Sequence, residues 1–277
     1  MPEAPDGARR VLKLVFLGTS AGILVPSCHC GCSACESARH HPEQRRTRSS
    51  LAVIGHETVL IDAGPELELQ LERESIRRID RIFITHWHFD HIAGLGGLGE
   101  LVDLGQWPPI DIYIPRQAAH HFDQELAYAK AKLCIHPIEP GDLIELPDAS
   151  WEVVKTTHTD HSVGFIIRAQ KSFAYLVDGV VPPSATIRRL SNLDLVILEA
   201  SVDELDTTGW VNFSVEQAIE FWRTLNVKRC ILTHLSCHSW KKGRLIGGFS
   251  ESDRKAYEAR MAGLAFAHDG LSIELYC

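Results

Sequence analysis

The segment His86-Trp87-His88-Phe89-Asp90-His91 places four potential metal ligands in six residues, directly after the apolar run Ile82-Phe83-Ile84-Thr85. Neutral imidazole and carboxylate suit Zn, Mn or Fe, and a strand end entering a loop can aim several such groups at one point. The plain alternative is a solvated His-rich loop. It fits poorly, because the segment lies between an apolar strand and the Gly-containing helix start His91-Ile92-Ala93-Gly94. Three further ligand types stand at similar junctions: His158 after Val153–Thr156, Asp178 after Phe173–Val177, and His234 after Cys230–Thr233. One such residue alone is more often an ordinary turn residue or cap. Three of them, with a dense cluster at a fourth junction, point to one shared site. His161 competes with His158, and spacing does not choose between them.

A second constellation follows the first strand. Four of the eight cysteines, Cys28, Cys30, Cys32 and Cys35, fall within eight residues. Disulfides need Cα separations and side-chain vectors that so tight a cluster strains to supply, whereas thiolates can converge on Zn(II). The run Cys30-Gly31-Cys32-Ser33-Ala34-Cys35 offers three ligands. Cys28 is a local fourth, and Cys237 or His238, just after His234, a long-range one. A ligand from there would pin the N-terminal loop to the catalytic loop. Arg45, Arg46 and Arg48, and Lys241, Lys242 and Arg244, are candidate phosphate contacts, against the commoner fate of charge runs as solvated surface. Trp87 and Phe89 read as core, and Cys134, Cys230 and Cys277 as buried or terminal thiols.

The elements that must position these residues are short. Strands are expected at Val11–Leu17, Ser50–Ile54, Thr58–Asp62, Arg81–Thr85, Ile110–Ile114, Trp151–Thr156, Gly164–Arg168, Ser172–Val177, Asp194–Glu199, Arg229–Thr233 and Leu271–Leu275. Helices are expected at Glu66–Ile76, Ile92–Leu104, Arg116–Lys132, Pro183–Leu190, Val215–Leu225 and Glu251–Arg260. Ser214 with Gln217 fits a capping box, and Ala218, Ile219 and Trp222 then share one face. The chain has 277 residues, 45% hydrophobic and 23% charged, which excludes disordered and fibrous classes. Interspersed strands and helices without a linker favour one layered α/β domain over 1–277. No apolar run is long enough for a membrane span. Met1–Arg10 is polar, without a signal-peptide core, so a cytoplasmic location is expected. The net charge of −8 argues against a nucleic-acid partner.

His86, His88, Asp90 and His91 form an HxHxDH motif that resembles the metallo-β-lactamase fold, with His158, Asp178 and His234 in that family's order. The resemblance implies an αββα four-layer sandwich holding two divalent ions at the sheets' edges. His86, His88 and His158 would hold one ion, Asp90, His91 and His234 the other, and Asp178 would bridge. Gly164-Phe165 resembles the family's Gly-aromatic pair and favours His158 over His161. The Cys-rich loop after Leu17-Gly18-Thr19 is similar to that of the PhnP-like branch, phosphoribosyl 1,2-cyclic phosphate phosphodiesterases. There a later residue three positions past the last catalytic His completes a structural zinc. Here that residue is Cys237, giving Cys30, Cys32, Cys35 and Cys237, and Arg45, Arg46 and Arg48 also resemble this branch. The branch's catalytic-loop His corresponds to Asn212, which cannot act as a general acid.

The implied activity is hydrolysis of a small, cyclic sugar- or nucleotide-type phosphodiester by a hydroxide shared between two cations, Mn, Zn or Fe. Asp90 would orient the hydroxide as well as bind metal, and Asn212 and Arg48 are the expected substrate contacts. The competing readings are a tRNA 3′-end endonuclease (RNase Z-like) and a non-hydrolytic PqqB-like protein of cofactor biosynthesis. The expected partner is a small phosphorylated substrate, with a homodimer as the default assembly.

Overall fold

The computed structural model describes residues 11–129, 132–201, 212–241, 244–247 and 250–275. In chain order the elements are β1 (Lys13–Gly18), α1 (Ser33–His40), β2 (Ser50–Ile54), β3 (Thr58–Ile61), α2 (Leu67–Arg73), β4 (Arg81–Phe83), α3 (Phe89–Ile92), α4 (Leu95–Asp103), β5 (Ile110–Pro115), α5 (Ala119–Glu125), β6 (Leu133–Ile138), β7 (Leu143–Glu145), β8 (Ser150–Lys155), β9 (Val163–Arg168) and β10 (Phe173–Leu176). They continue with α6 (Ser184–Arg189), β11 (Leu195–Glu199), α7 (Val215–Thr224), β12 (Arg229–Thr233), β13 (His238–Lys241), β14 (Arg244–Gly247), α8 (Glu251–Arg260), β15 (Leu264–Phe266) and β16 (Ser272–Glu274).

Two seven-stranded sheets run in the orders β16-β1-β2-β3-β4-β5-β6 and β15-β12-β11-β10-β9-β8-β7, and β13 and β14 form a separate hairpin. Strand alternation builds the layers, because successive side chains point to opposite faces. In β1, Leu14 and Phe16 face the core between the sheets, while Val15 and Leu17 face the outer layer. In β11, Leu195 and Ile197 point inward and Val196 and Leu198 outward. Leu67, Leu71, Leu95, Leu98 and Phe122 from α2, α4 and α5 cover one outer face. Ala218, Ile219 and Trp222 of α7 cover the other. The result is the αββα sandwich. The inner core is anchored by Phe83, whose ring stacks at 4.4 Å on both Tyr113 and Trp151. Phe83→Ala is expected to cost about 3–5 kcal/mol of stability, read as a lower denaturant midpoint at unchanged slope.

Several elements differ from sequence expectation. The cysteine loop contains α1, whose N-cap is Cys32, its thiol accepting from the Cys35 amide. Cysteine is not among the residues that announce an N-cap. Arg116–Lys132 breaks into a 3₁₀ turn, α5 and a second 3₁₀ turn. The expected helix Ile92–Leu104 splits into α3 and α4. Strand β6, with Pro137 inside it, lies at a sheet edge, where a residue lacking an N–H is tolerated. The capping box at Ser214 and Gln217 forms in full. No helix among the described residues is long and apolar enough to cross a membrane.

Candidate metal centre

The ligand residues meet because the strands that carry them run in one direction. β3, β4 and β5 are mutually parallel, as are β10, β11 and β12. Their carboxyl ends therefore open along one edge of the sandwich, the usual place for a site in parallel sheets. Asp62 follows β3, His86 follows β4, Asp178 follows β10, Glu199 ends β11 and His234 follows β12. Asp62 and His234 both adopt left-handed backbone, with φ of 65° and 57°. Such residues cost about 1–3 kcal/mol and persist where surrounding structure enforces them. Here the Asp62 amide donates to Phe83 O at 2.9 Å, and the Leu235 amide to Thr19 O at 2.8 Å. Gly64 and Gly94 permit the close approach of the β3 loop to the histidine segment: a Cβ on Gly64 would stand 2.6 Å from Asp90 O, and one on Gly94 2.4 Å from Gly64 O.

Two ligand quartets result. His86, His88, His158 and Asp178 form one, and Asp90, His91, Asp178 and His234 the other, each with its ligand atoms within 4.8 Å of one another. Asp178 belongs to both. Its Oδ2 lies 3.6 Å from His86 Nε2 and His158 Nε2, and 3.5 Å from His91 Nε2 and His234 Nε2. Asp90 Oδ2 lies 3.3 Å from His91 Nε2 and 3.6 Å from His234 Nε2. Both of those nitrogens are buried and lack a hydrogen-bond partner. Orphaned buried nitrogens opposite shared carboxylates are what a cation site leaves when only its protein half is considered. The donor set therefore fits two divalent ions.

The carboxylates make this edge electronegative, so that positive charge is favoured beside His91 and His234, carried by a proton or, in its place, by a cation. Burial opposes a charge on His91, but Asp62 and Asp90 outweigh it and hold its pKa well above the ordinary value. His234 is likewise raised to about 10 against burial, by Asp178, Asp90 and Glu199. Burial and neighbouring imidazoles push His86 well below its ordinary value, leaving it neutral as a ligand must be. Asp178 and Asp90 stay ionised despite burial because imidazoles surround them.

Behind the ligands stands a layer that sequence reasoning did not nominate. Asp62 Oδ2 accepts from His91 Nδ1 at 2.7 Å, and Asp62 Oδ1 accepts from the Thr85 amide at 2.8 Å. His234 Nδ1 lies 2.9 Å from Ser201 Oγ and 3.4 Å from Glu199 Oε2. Glu199 Oε1 also accepts from the amides of Gly179 at 2.7 Å and Phe213 at 3.0 Å. The available signal was a carboxylate directly after an apolar run, Val59–Ile61 before Asp62 and Leu195–Leu198 before Glu199. Such partners fix the ring orientation of metal-binding histidines. Asp62→Asn is expected to weaken the ion at the Asp90 quartet about 10–100-fold, read by chelator competition, with the His86 quartet little changed. Equal affinity at both quartets would sink that role.

Of the remaining candidates, His161 lies outside both quartets, so the fold selects His158. Asn212 Nδ2 donates to Asp178 Oδ1, and to Glu199 Oε2 at 2.8 Å, so it positions the carboxylate that the two quartets share. Arg48 pairs with Glu66, donates to Gly22 O at 2.9 Å, and sits with its guanidinium carbon 5.7 Å from the Phe89 ring centroid. Arg46 is buried and donates to Thr19 Oγ1 at 2.7 Å and Ala267 O at 2.5 Å, and Arg45 donates to Ala38 O. Phe89 is not core: the turn of α3 that buries His91 and Ile92 leaves its ring 64% exposed, while Trp87 does pack against the core. Cys134 is exposed rather than buried, and Cys230 is buried. The side chains of His238, Lys241, Lys242 and Arg244, and Cys277, lie outside the described residues.

The cysteines form a third quartet, Cys30, Cys32, Cys35 and Cys237, with sulfur atoms within 4.8 Å of one another, and exposed Cys28 is not part of it. The Cys35 amide donates to Cys32 Sγ at 3.4 Å, the Cys32 amide to Cys30 Sγ at 3.4 Å and the Ser27 amide to Cys35 Sγ at 3.2 Å. Amides aimed at sulfur favour the thiolate. Burial nevertheless pushes the Cys35 thiol up to about 11. A cation held by the four sulfurs would offset that burial.

Comparison with known proteins agrees with this geometry. A family described as β-lactamase superfamily domain matches residues 57–235. The crystal structure of a new diphosphatase from the PhnP family superposes with a TM-score of 0.80 at 27% identity, covering 96% of this chain and 98% of that one. The coenzyme PQQ synthesis protein B of Methylobacterium radiotolerans is 26% identical over 95% of this chain and 100% of its own length. The ribonuclease Z of Crocosphaera subtropica is 34% identical over 152 residues, which is 51% of this chain and 42% of that protein. The chain spans under half the length of the first curated relatives it matches, 46% and 42%.

Proposed function

The chain belongs to the β-lactamase superfamily, a metal-dependent hydrolase by fold and ligand set, and from that premise we propose that it hydrolyses a small sugar- or nucleotide-type phosphodiester, cyclic forms included. The observation that carries the reading is Asp178 Oδ2, which lies 3.5–3.6 Å from ligand nitrogens of both quartets. One ion would be held by His86, His88 and His158, the other by Asp90, His91 and His234, with Asp178 shared; Mn, Zn and Fe all suit this donor set. Two such ions supply a water of near-neutral pKa and neutralise charge on a phosphoryl group.

The chain's own residues supply positioning. Asp62 and Thr85 hold the His91 ring, and Ser201 and Glu199 hold the His234 ring. Asp90 orients the attacking water by accepting its hydrogen bond. Asn212 has no proton to give at neutral pH, and it keeps Asp178 aimed at both quartets. Phe89, 64% exposed, offers apolar surface next to Asp90 in the chain, and Gly22 approaches the Asp90 carboxylate. That surface suits the ring of a sugar or base. The cysteine quartet would hold a structural zinc, tying α1 to the loop after His234. A reduced thiol cluster is at home in the cytoplasm.

The test is hydrolysis of bis(p-nitrophenyl) phosphate by Mn(II)-loaded protein beside its Asp90→Ala variant. Metal-dependent turnover is expected, falling at least about 100-fold in the variant. Metal-loaded protein with no turnover above the variant would overturn the phosphodiesterase reading and favour a non-hydrolytic role like that of PqqB. An RNase Z-like endonuclease is the second reading, resting on similarity to ribonuclease Z. The net charge of −8 weighs against it, and cleavage of a precursor tRNA in preference to small diesters would establish it.

A further inference from the structure

A cavity of about 250 Å³ lies between α1, α8 and the Ser236-Cys237 loop, and the reaction described above makes no use of it. Its lining includes Ser33, Ser37, Arg46, Ser250, Glu251 and Arg254. Two of these are buried arginines. Arg46 is only 5% exposed, and while one terminal nitrogen donates to Thr19 Oγ1 and Ala267 O, its Nε is buried without a partner. Arg254 is 7% exposed. Its Nε donates to Glu251 Oε2 at 3.1 Å, and its side chain makes no other hydrogen bond among the described residues.

Two guanidinium groups thus meet one carboxylate in the described lining, while Asp253 and Glu258 lie near Arg254 outside it. Glu251 is the one carboxylate among its described lining residues, and Lys255 also approaches it, at 3.8 Å. On the far side of Arg46, Asp269 is engaged by Thr19, Thr47 and Arg73. Burial and the nearby Arg254 charge pull Arg46 down to about 9, still cationic at neutral pH. The two buried guanidinium groups repel one another, and an anion seated between them would relieve that repulsion. The first turn of α1, whose Ser33 and Ala34 line the cavity, adds amides with no intrahelical acceptor. Ser33 and Ser37 of α1 add hydroxyls to the surface, whereas the Ser250 hydroxyl caps α8 and donates to Asp253. Guanidinium groups, helix-start amides and hydroxyls are the donors that recognise phosphate.

We propose that this cavity is a second anion site, separate from the metal centre, that binds the phosphate group of a small molecule. The site does not depend on the phosphodiesterase reading. Cys237 lines the cavity and belongs to the cysteine quartet, so an anion seated there would brace the loop that leaves His234.

Isothermal titration of the metal-loaded full chain with inorganic phosphate, and separately with glucose 6-phosphate, tests this. Two binding events are expected with at least one of these probes. Arg254→Gln should raise the Kd of one event at least about tenfold, equivalent to about 1.4 kcal/mol. Ser33→Asp should do the same, since a carboxylate in a helix's first turn favours the helix while repelling an anion. It decides the matter if Arg254→Gln fails to fold. Asp178→Asn should remove the other event and leave this one. Tighter binding of glucose 6-phosphate supports the site as one for an ester, and tighter binding of phosphate supports it as one for the free ion. Unchanged binding in both cavity variants, or a single event abolished by Asp178→Asn, would overturn the proposal.

Discussion

Asp178→Asn is expected to lower turnover of bis(p-nitrophenyl) phosphate at least about 10³-fold, about 4 kcal/mol of barrier, and to drop catalytic metal from two ions per chain to one or none. The cause is geometric. One oxygen of this buried carboxylate faces His86, His158, His91 and His234 at 3.5–3.6 Å, so both quartets lose a ligand together. The substitution keeps side-chain shape while removing the charge that holds four imidazoles together. Removing one partner from a buried charged set costs more than the partner's own contacts, because the remainder is left uncompensated. Metal analysis after desalting, with kinetics in excess Mn(II), reads both effects. A variant that keeps two ions and turns over within tenfold of wild type would remove Asp178 from the bridging role.

Cys35→Ser is expected to remove one zinc per chain and to lower the melting temperature by more than about 10 °C. Cys35 is fully buried, and its sulfur meets those of Cys30, Cys32 and Cys237, the last more than 200 residues away in sequence. A structural zinc contributes folding free energy directly. Closing so long a loop also restricts the unfolded chain. Cys28→Ser is the matched control: this exposed thiol lies outside the quartet, and its loss should leave zinc content and melting temperature unchanged. Equal zinc content in the two variants would refute the assignment.

Both effects depend on groups that are legible in the amino-acid sequence. The histidine segment, His158, Asp178 and His234 stand at the ends of apolar runs, and a parallel sheet brings such ends to one edge. The Cys30–Cys35 spacing points to metal whatever residue supplies the fourth ligand. The sandwich itself is readable in outline, because the unbroken apolar runs of β1 and β11 mark strands buried on both faces and the capped apolar face of α7 marks a helix that covers them. Short segments with weak alternation, such as β6 and β7, are not readable, since their pattern is set by an edge position rather than by a buried face.

What the amino-acid sequence determined by itself was the inventory of ligands and the strand ends that present them, because both are properties of local residue type and period. Tertiary structure alone decided the rest. Spacing left His161 and Cys28 open, and the fold brings into the quartets His158 and Cys237, which the family resemblance had favoured; it also turned Asn212 toward Asp178. It placed Asp62 and Glu199 behind the ligands, exposed Phe89, and buried Arg46 beside Arg254. Each of these is a distance between residues far apart in the chain. No local pattern encodes such a distance, and it becomes definite only when two sheets close on a shared core.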